Sequence, residues 1–112
     1  MKVIHKNQAE IHKNDEACIA AEYPLDKEID GAVIDINGRH PAKNRCLNLK
    51  CRMLCYVIGG NGKIVVEVEE INLHEGDCIL IEPGEKYFWQ GNLKLFISST
   101  PAWNHEQYKE VE

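Results

Sequence analysis

The sequence has no long apolar run, no apolar N-terminal segment and no cluster of basic residues. Its longest apolar run, Met53 to Ile58, is far shorter than the roughly 18 residues that a membrane-spanning helix requires. The first ten residues, MKVIHKNQAE, lack the apolar stretch of a secretory signal. Lysines and arginines are scattered over a chain of net charge -5, which argues against nucleic-acid binding. We therefore expect a cytoplasmic protein with no membrane or nucleic-acid partner.

The cysteines do not suggest a disulfide framework. There are five, and an odd number without a secretory signal is typical of free thiols in a reducing compartment. Cys51 and Cys55 are four residues apart and share one face if their segment is a strand. A length of 112 residues has room for one domain, so we expect a single domain over residues 1–112.

Short alternating runs separated by glycine turns predict an all-β fold with at most a turn or two of helix. Ala32 to Ile36 (AVIDI) alternates clearly, and we expect Asn37 and Gly38 to end that strand. The glycine-rich segment 59–62 predicts a hairpin turn, and HEGD at 74–77 predicts another. Further strands are expected at 3–5, 17–23, 45–49, 53–58, 63–69, 78–81, 87–89 and 93–98. A polar tail after Thr100 is expected to be pinned by Trp103.

The spacing of the glycines and prolines resembles that of the cupins. Gly76 and Gly84 fall on the two glycines of the second cupin motif, while Pro83 and Asn92 each lie one residue beyond their expected positions. The first motif ends on Gly60, with 15 residues between Gly60 and Gly76. The resemblance implies a double-stranded β-helix, that is, a jelly-roll barrel, with its core over residues 31–100.

The metal-ligand positions of the cupin motifs are not retained. Counting back from Gly60, the glutamate position is Met53, and the histidine positions are Cys46 and Asn48, or Leu47 and Leu49 under the shorter spacing. The last histidine position is Tyr87. Thioether, thiol, amide and phenol are poor ligands for the metals that imidazole and carboxylate bind. We therefore expect a barrel without a metal or other cofactor.

The same alignment, with period-two alternation, points a set of side chains into the barrel. We predict a ligand site for a small organic molecule, such as a sugar or another ring, stacked on Trp89 and hydrogen-bonded by Tyr87 and Asn48. Arg39, with His40 beside it, is a candidate for the barrel mouth, where a guanidinium can hold an anionic substrate. A solvated arginine beside a loop histidine is the simpler interpretation of both residues. The predicted ligand-binding residues are Cys46, Asn48, Met53, Cys55, Tyr87, Trp89 and Arg39.

Three functional classes remain open at this point. The first is a binding protein or metal-independent enzyme, in which Tyr87 acts as general acid and His40 or a carboxylate as base. The aromatic residues fit core packing equally well. The second class is a metal-dependent cupin isomerase or oxygenase with unusual ligands, or a zinc site of Cys46, Cys51 and Cys55. The third is an interaction module, for which the apolar face of Ile64, Val66 and Val68 offers a surface. In every case we expect a homodimer, because exposed outer strands need a cover.

Overall fold

The structure, a computed structural model, describes all residues from Met1 to Glu112 and is built almost entirely from strands. It contains no α-helix, only two short 3₁₀ turns at Lys6–Gln8 and His105–Gln107. This confirms the all-β prediction. A membrane-spanning helix is therefore absent from the structure. The nine strands are β1 (Glu10–Asp15), β2 (Cys18–Tyr23), β3 (Asp30–His40), β4 (Arg45–Asn48), β5 (Arg52–Val66), β6 (Glu69–His74), β7 (Cys78–Ile81), β8 (Tyr87–Thr100) and β9 (Tyr108–Val111).

The two longest strands, β5 and β8, form the centre of the sheet. They pair antiparallel from Arg52 opposite Thr100 to Val66 opposite Tyr87. The other edge of β8 pairs with β3 and, near Tyr87, with β4, whose far edge pairs with β9. Strands β1 and β2 extend the sheet beyond β3, while β6 and β7 pair with β5. All of these pairings are antiparallel, and the sheet curls around one apolar core.

Alternation along β5 and β8 decides which side chains enter that core. Met53, Cys55 and Val57 are buried, whereas the residues between them are exposed. Along β8 the inward residues include Tyr87 and Trp89, as the sequence predicted. The outward face leaves large apolar side chains in solvent, among them Leu54, Tyr56, Leu80 and Phe96.

The predicted hairpin turn at residues 59–62 is wrong, because β5 runs through it without a break. The register shifts between Val57 and Gly59, and the strand then continues to Val66. Gly60 has a φ of 83°, and a Cβ there would overlap the carbonyl oxygen of Asn92. Glycine is therefore needed for close approach to β8, and not for chain reversal. The chain reverses instead at Glu67 and Val68, between paired Val66 and Glu69.

The predicted end of the AVIDI strand at Asn37 and Gly38 is also wrong. β3 continues to His40, with Gly38 paired to Gly91 and His40 paired to Trp89. Both glycines have positive φ, 122° and 126°, so the two strands bend together without separating. This extension matters for function, because it places His40 in the sheet, on the same face as Trp89.

The two ends of the chain also differ from the sequence expectations. Residues 3–5 are not a strand; the first strand is β1, which forms a hairpin with the correctly predicted β2. The tail after Thr100 contains β9, which pairs with β4 from Asn48 opposite Tyr108 to Arg45 opposite Val111. We call residues 101–112 the C-terminal segment. It closes one side of the barrel interior.

Candidate functional site

The barrel interior contains a cavity of about 550 Å³. Strands β2 and β3 form one wall, and β8 with the C-terminal segment forms much of the rest. Exposed residues such as Lys43 and His105 belong to the lining together with buried ones, so the cavity opens to the surface. The polar and aromatic lining residues are Asn14, Asp15, Glu22, Asp30, His40, Lys43, Asn44, Tyr87, Trp89, Ser99, Trp103, His105, Tyr108 and Glu110.

His40 and Asp15 form a hydrogen-bonded pair in this lining. Nδ1 of His40 lies 2.6 Å from Oδ2 of Asp15, and the two side chains are 13% and 26% exposed. The other carboxylate oxygen of Asp15 accepts a hydrogen bond from the backbone N–H of Ala17 at 2.8 Å. The carboxylate is therefore fixed by the β1–β2 turn and orients the imidazole, whose Nε2 makes no hydrogen bond within the protein. A histidine held in this way is suited to act as a general base.

Tyr87 and Trp89 lie beside His40 on the same face of the sheet. They are 4% and 3% exposed, and their rings meet edge to face with centroids 6.4 Å apart. Burial raises the pKa of the Tyr87 phenol well above its ordinary value, and the neighbouring Cys46 adds to this effect. Tyr87 is therefore protonated at neutral pH and able to donate a proton or a hydrogen bond.

Two carboxylates in the lining carry raised pKa values, because burial penalises their charged form. They are Glu22, which lies 3.5 Å from Nε2 of His12, and Asp30. Asp30 is held by backbone N–H groups: its Oδ1 accepts from Ser99 at 3.1 Å and its Oδ2 from Trp103 at 2.9 Å. Asp30 thus joins the C-terminal segment to the start of β3.

Asn48 anchors the C-terminal segment and is not part of the cavity lining. Its Oδ1 accepts hydrogen bonds from Trp103 Nε1 at 3.1 Å and from Gln107 Nε2 at 2.8 Å. Its amide nitrogen donates to the Tyr87 hydroxyl at 3.4 Å. Gln107 in turn accepts from the backbone N–H of Cys51 at 3.2 Å. The partners that a buried amide requires are therefore side chains of the protein.

The predicted ligand-binding residues divide into two groups. Met53, Tyr87 and Trp89 line the cavity, whereas Cys46, Asn48 and Cys55 are buried outside the lining. Arg39 lies apart from both groups, with its guanidinium 3.9 Å from the Phe88 ring centroid. It donates to the carbonyl oxygens of Pro41 and Asn44 at 2.9 and 2.8 Å, so it shapes the loop after β3.

Several lining residues were not predicted from the sequence. Asp15 lies 25 positions from His40 in sequence, and pairing over that distance has no local signal. Trp103, His105 and Tyr108 lie in the polar tail, where only Trp103 was expected to touch the barrel. Alternation along β2 (Cys18, Ala20, Glu22) is a signal that could have placed Glu22 inside.

The residues at the cupin metal positions do not form a ligand set for a divalent ion. Cys46 Sγ faces the Tyr87 carbonyl oxygen at 3.6 Å, and the Asn48 oxygen is already occupied. Burial raises the pKa of Cys46 to about 11, which disfavours the thiolate that a metal requires. The alternative zinc set of Cys46, Cys51 and Cys55 does not converge on one point either. Cys51 faces the backbone carbonyl oxygen of Ala102, and Cys55 faces that of Met53. No group of three or more His, Cys, Asp or Glu side chains is placed to hold a metal.

We expect one of the five thiols to react rapidly with Ellman's reagent at pH 8 in the native protein. Cys78 is exposed, and the other four cysteines are buried. With pKa values of about 11, Cys18 and Cys46 are only about one part in a thousand thiolate at that pH. Cys78→Ser should remove the fast phase, and unfolding in guanidinium should expose all the remaining thiols. Two or more fast thiols in the wild-type protein would contradict this arrangement.

Comparison with known structures finds the same architecture in several proteins. No family model and no curated protein sequence matches the chain. A structure of Streptomyces Pac13, described as a nucleoside dehydratase, is 17% identical with a TM-score of 0.85, over 96% of this chain and 88% of that one. A histidine-to-glutamine variant of Pac13 with uridine is 16% identical with a TM-score of 0.86, at the same coverage.

Two further neighbours extend this comparison. KdgF from a Halomonas species is 10% identical with a TM-score of 0.72, over 88% of this chain and 94% of that one. An oxalate decarboxylase variant from Bacillus subtilis is 10% identical with a TM-score of 0.80, over 96% of this chain but 32% of the longer enzyme. Identities this low establish the fold alone. The resemblance drawn from Gly60, Gly76 and Gly84 is thereby confirmed at the level of the fold, and the chain is a cupin-fold protein.

Proposed function

We propose that the chain is a dehydratase that uses its own acid and base side chains on a small, polar, sugar-bearing molecule. The observation that carries the proposal is the couple of His40 and Asp15 in the wall of the cavity, 2.6 Å apart, with Nε2 of the imidazole unpartnered. A base oriented by a carboxylate is costly to arrange in a partly buried cavity wall, and its chemistry there is proton abstraction.

The proposed reaction is a β-elimination of water from a hydroxy-carbonyl compound. His40 Nε2 takes the proton from the carbon next to the carbonyl, and a double bond forms between that carbon and its neighbour. The hydroxyl group on the neighbour leaves as water with a proton from the Tyr87 phenol. The proton on His40 returns to Tyr87 through solvent, so the enzyme is restored and the net change is the loss of one water molecule.

The arrangement of the site supports both roles. His40 is paired to Trp89 in the sheet, and Tyr87 is two residues from Trp89 on the same face of β8. Burial keeps Tyr87 protonated at neutral pH, and the hydroxide that develops on the leaving group is a strong enough base to take that proton. A cavity of about 550 Å³ lies within the range of roughly 300–1,000 Å³ usual for small-molecule sites.

The solved structures add support of a weaker kind. One neighbour is described as a nucleoside dehydratase, and three structures of its variants contain uridine. Since that likeness establishes the fold alone, the inference to this chain rests on its own acid and base side chains. We take the substrate class to be nucleosides or sugars that carry a carbonyl next to a ribose C–H.

The test is proton nuclear magnetic resonance of the purified protein in D₂O with a panel of ribosides. The panel contains uridine and methyl riboside, which have no such carbonyl, and the same compounds oxidised at one ribose carbon. We expect exchange or loss of the acidic C–H signal and growth of an alkene signal only with the oxidised compounds. If binding occurs without exchange or elimination for every member, the chain is a binding protein and the dehydratase proposal fails.

A further inference from the structure

Three aromatic rings of the C-terminal segment form a cluster on one wall of the cavity. The ring centroids of Trp103 and Tyr108 are 5.7 Å apart, those of Trp103 and His105 are 6.1 Å apart, and those of His105 and Tyr108 are 6.3 Å apart. All three residues belong to the cavity lining. We call Trp103, His105 and Tyr108 the aromatic cluster.

The aromatic cluster is more accessible than the aromatic pair predicted from the sequence. Trp103 and Tyr108 are only partly buried and His105 is exposed, whereas Tyr87 and Trp89 are each less than 5% exposed. The edge-to-face contact of Tyr87 with Trp89 also occupies part of their surfaces. A ligand ring therefore finds more open aromatic surface on the C-terminal segment than on β8.

Hydrogen bonds hold the cluster in place before any ligand arrives. Trp103 is fixed at both ends, through Nε1 to Asn48 and through its backbone N–H to the Asp30 carboxylate. Tyr108 lies in β9, directly opposite Asn48 in β4. Since these rings are already ordered, stacking on them costs little conformational entropy.

The charges near the cluster favour a neutral ring. Four carboxylates line the same cavity as the cluster, those of Asp15, Glu22, Asp30 and Glu110, whereas Lys43 is the only lysine or arginine in the lining. An anionic group entering this wall meets like charge and loses its hydration. An uncharged planar heterocycle meets no such repulsion, is less strongly hydrated than an anion, and gains stacking energy.

We propose that the aromatic cluster is a subsite for the neutral heterocyclic base of a nucleoside, which leaves the ribose to face His40. This inference rests on the proposed function for its substrate class, but it concerns recognition and not turnover. The substrate is then a nucleoside without phosphate groups, held by its base on the C-terminal segment and not on Trp89.

The first experiment measures binding of two unreactive ligands, uridine and methyl riboside, which differ by the base. We expect the wild-type protein to bind uridine more tightly. In His105→Ala and Trp103→Leu the affinity for uridine should fall roughly tenfold, since stacking on one aromatic ring is worth about that much. The affinity for methyl riboside should stay unchanged. His74→Ala, an exposed histidine outside the cavity, is the matched control.

The second experiment uses the two tryptophans as reporters and needs no loss of binding. Trp89→Phe leaves Trp103 as the single tryptophan, and its emission should change on saturation with uridine but not with methyl riboside. Trp103→Phe leaves Trp89, which lies opposite His40 near the expected ribose position, so its emission should not distinguish uridine from methyl riboside. Equal affinity for the two ligands, no detectable uridine binding, or a response confined to Trp89 would overturn the subsite.

The outcomes also separate this inference from the dehydratase proposal. Base-dependent binding without elimination from any oxidised riboside supports the subsite and removes the proposed reaction. Elimination from oxidised methyl riboside as fast as from the oxidised nucleoside supports the reaction and removes the subsite.

Discussion

Replacing His40 with glutamine is expected to lower the turnover of an oxidised nucleoside by roughly a hundredfold or more. Glutamine keeps a neutral polar side chain able to hydrogen-bond with Asp15, but its amide cannot accept a proton near pH 7. The loss should appear in kcat, with a smaller change in KM, because the base acts in the transition state. The measurement is steady-state kinetics together with the rate of C–H exchange in D₂O.

Two companion variants sharpen this result. His74→Gln makes the same change at an exposed histidine, the last residue of β6, and should leave kcat unaltered. Asp15→Asn should give an intermediate loss, since asparagine can still accept from Ala17 but orients the imidazole less well. Asp15 acts here as a positioning residue. If His40→Gln retains more than half of wild-type kcat while folding normally, His40 is not the base.

The sequence predicts those strands in which apolar and polar residues alternate strictly and in which the partner strand requires no bend or close backbone approach. The segments 17–23, 53–58 and 78–81 each correspond to a strand or lie within one. Two of the failures lie at glycines. Gly38 and Gly60 read locally as turns, but each is paired with β8. Gly60 lets its strand approach the Asn92 carbonyl oxygen, and Gly38 adopts a φ of 122° opposite Gly91. That requirement is set by the partner strand, so no local pattern distinguishes it from a hairpin.

In the site too, local alternation predicted some residues, whereas residues positioned by long-range packing were missed. Tyr87 and Trp89 were placed inward by alternation on one strand, and they do line the cavity. His40 was a candidate, but its partner Asp15 comes from a hairpin whose position depends on the curl of the whole sheet. The aromatic cluster was missed because its segment is polar in composition and is ordered by Asn48 and Asp30, not by its own sequence.

The apolar face that the sequence suggested for an interaction partner is not an exposed surface of the structure. Ile64 is 1% exposed and belongs to the core, and Val68 lies in the turn after β5, so the predicted apolar face is not available as one surface. Leu54, Tyr56 and Phe96 on the outward face are exposed instead. The homodimer stays a prediction. Light scattering on the wild-type protein and on a variant substituted at Tyr56 would test whether this outward face forms the dimer contact.

Asn48→Leu is expected to destabilise the protein by about 3–5 kcal/mol, although leucine fits the volume of the buried site. The substitution leaves Trp103 Nε1, one Gln107 amide hydrogen and the Tyr87 hydroxyl without their present partner. A buried polar group left unpaired costs about 1–3 kcal/mol. For a domain of this size the melting temperature should fall by roughly 10–20 °C. The same substitution at exposed Asn72 should change stability by less than about 0.5 kcal/mol.

A double-mutant cycle with Gln107→Leu then tests whether Asn48 and Gln107 act as one network. Gln107 bridges Asn48 to the backbone N–H of Cys51, so each single substitution already releases the C-terminal segment from the same anchor. The double variant should therefore cost less than the sum of the two single variants by about 1 kcal/mol or more in urea unfolding. Strictly additive losses would mean that the two side chains stabilise separate contacts. In that case the C-terminal segment, with its aromatic cluster, is held mainly by Asp30 and the pairing of β9 with β4.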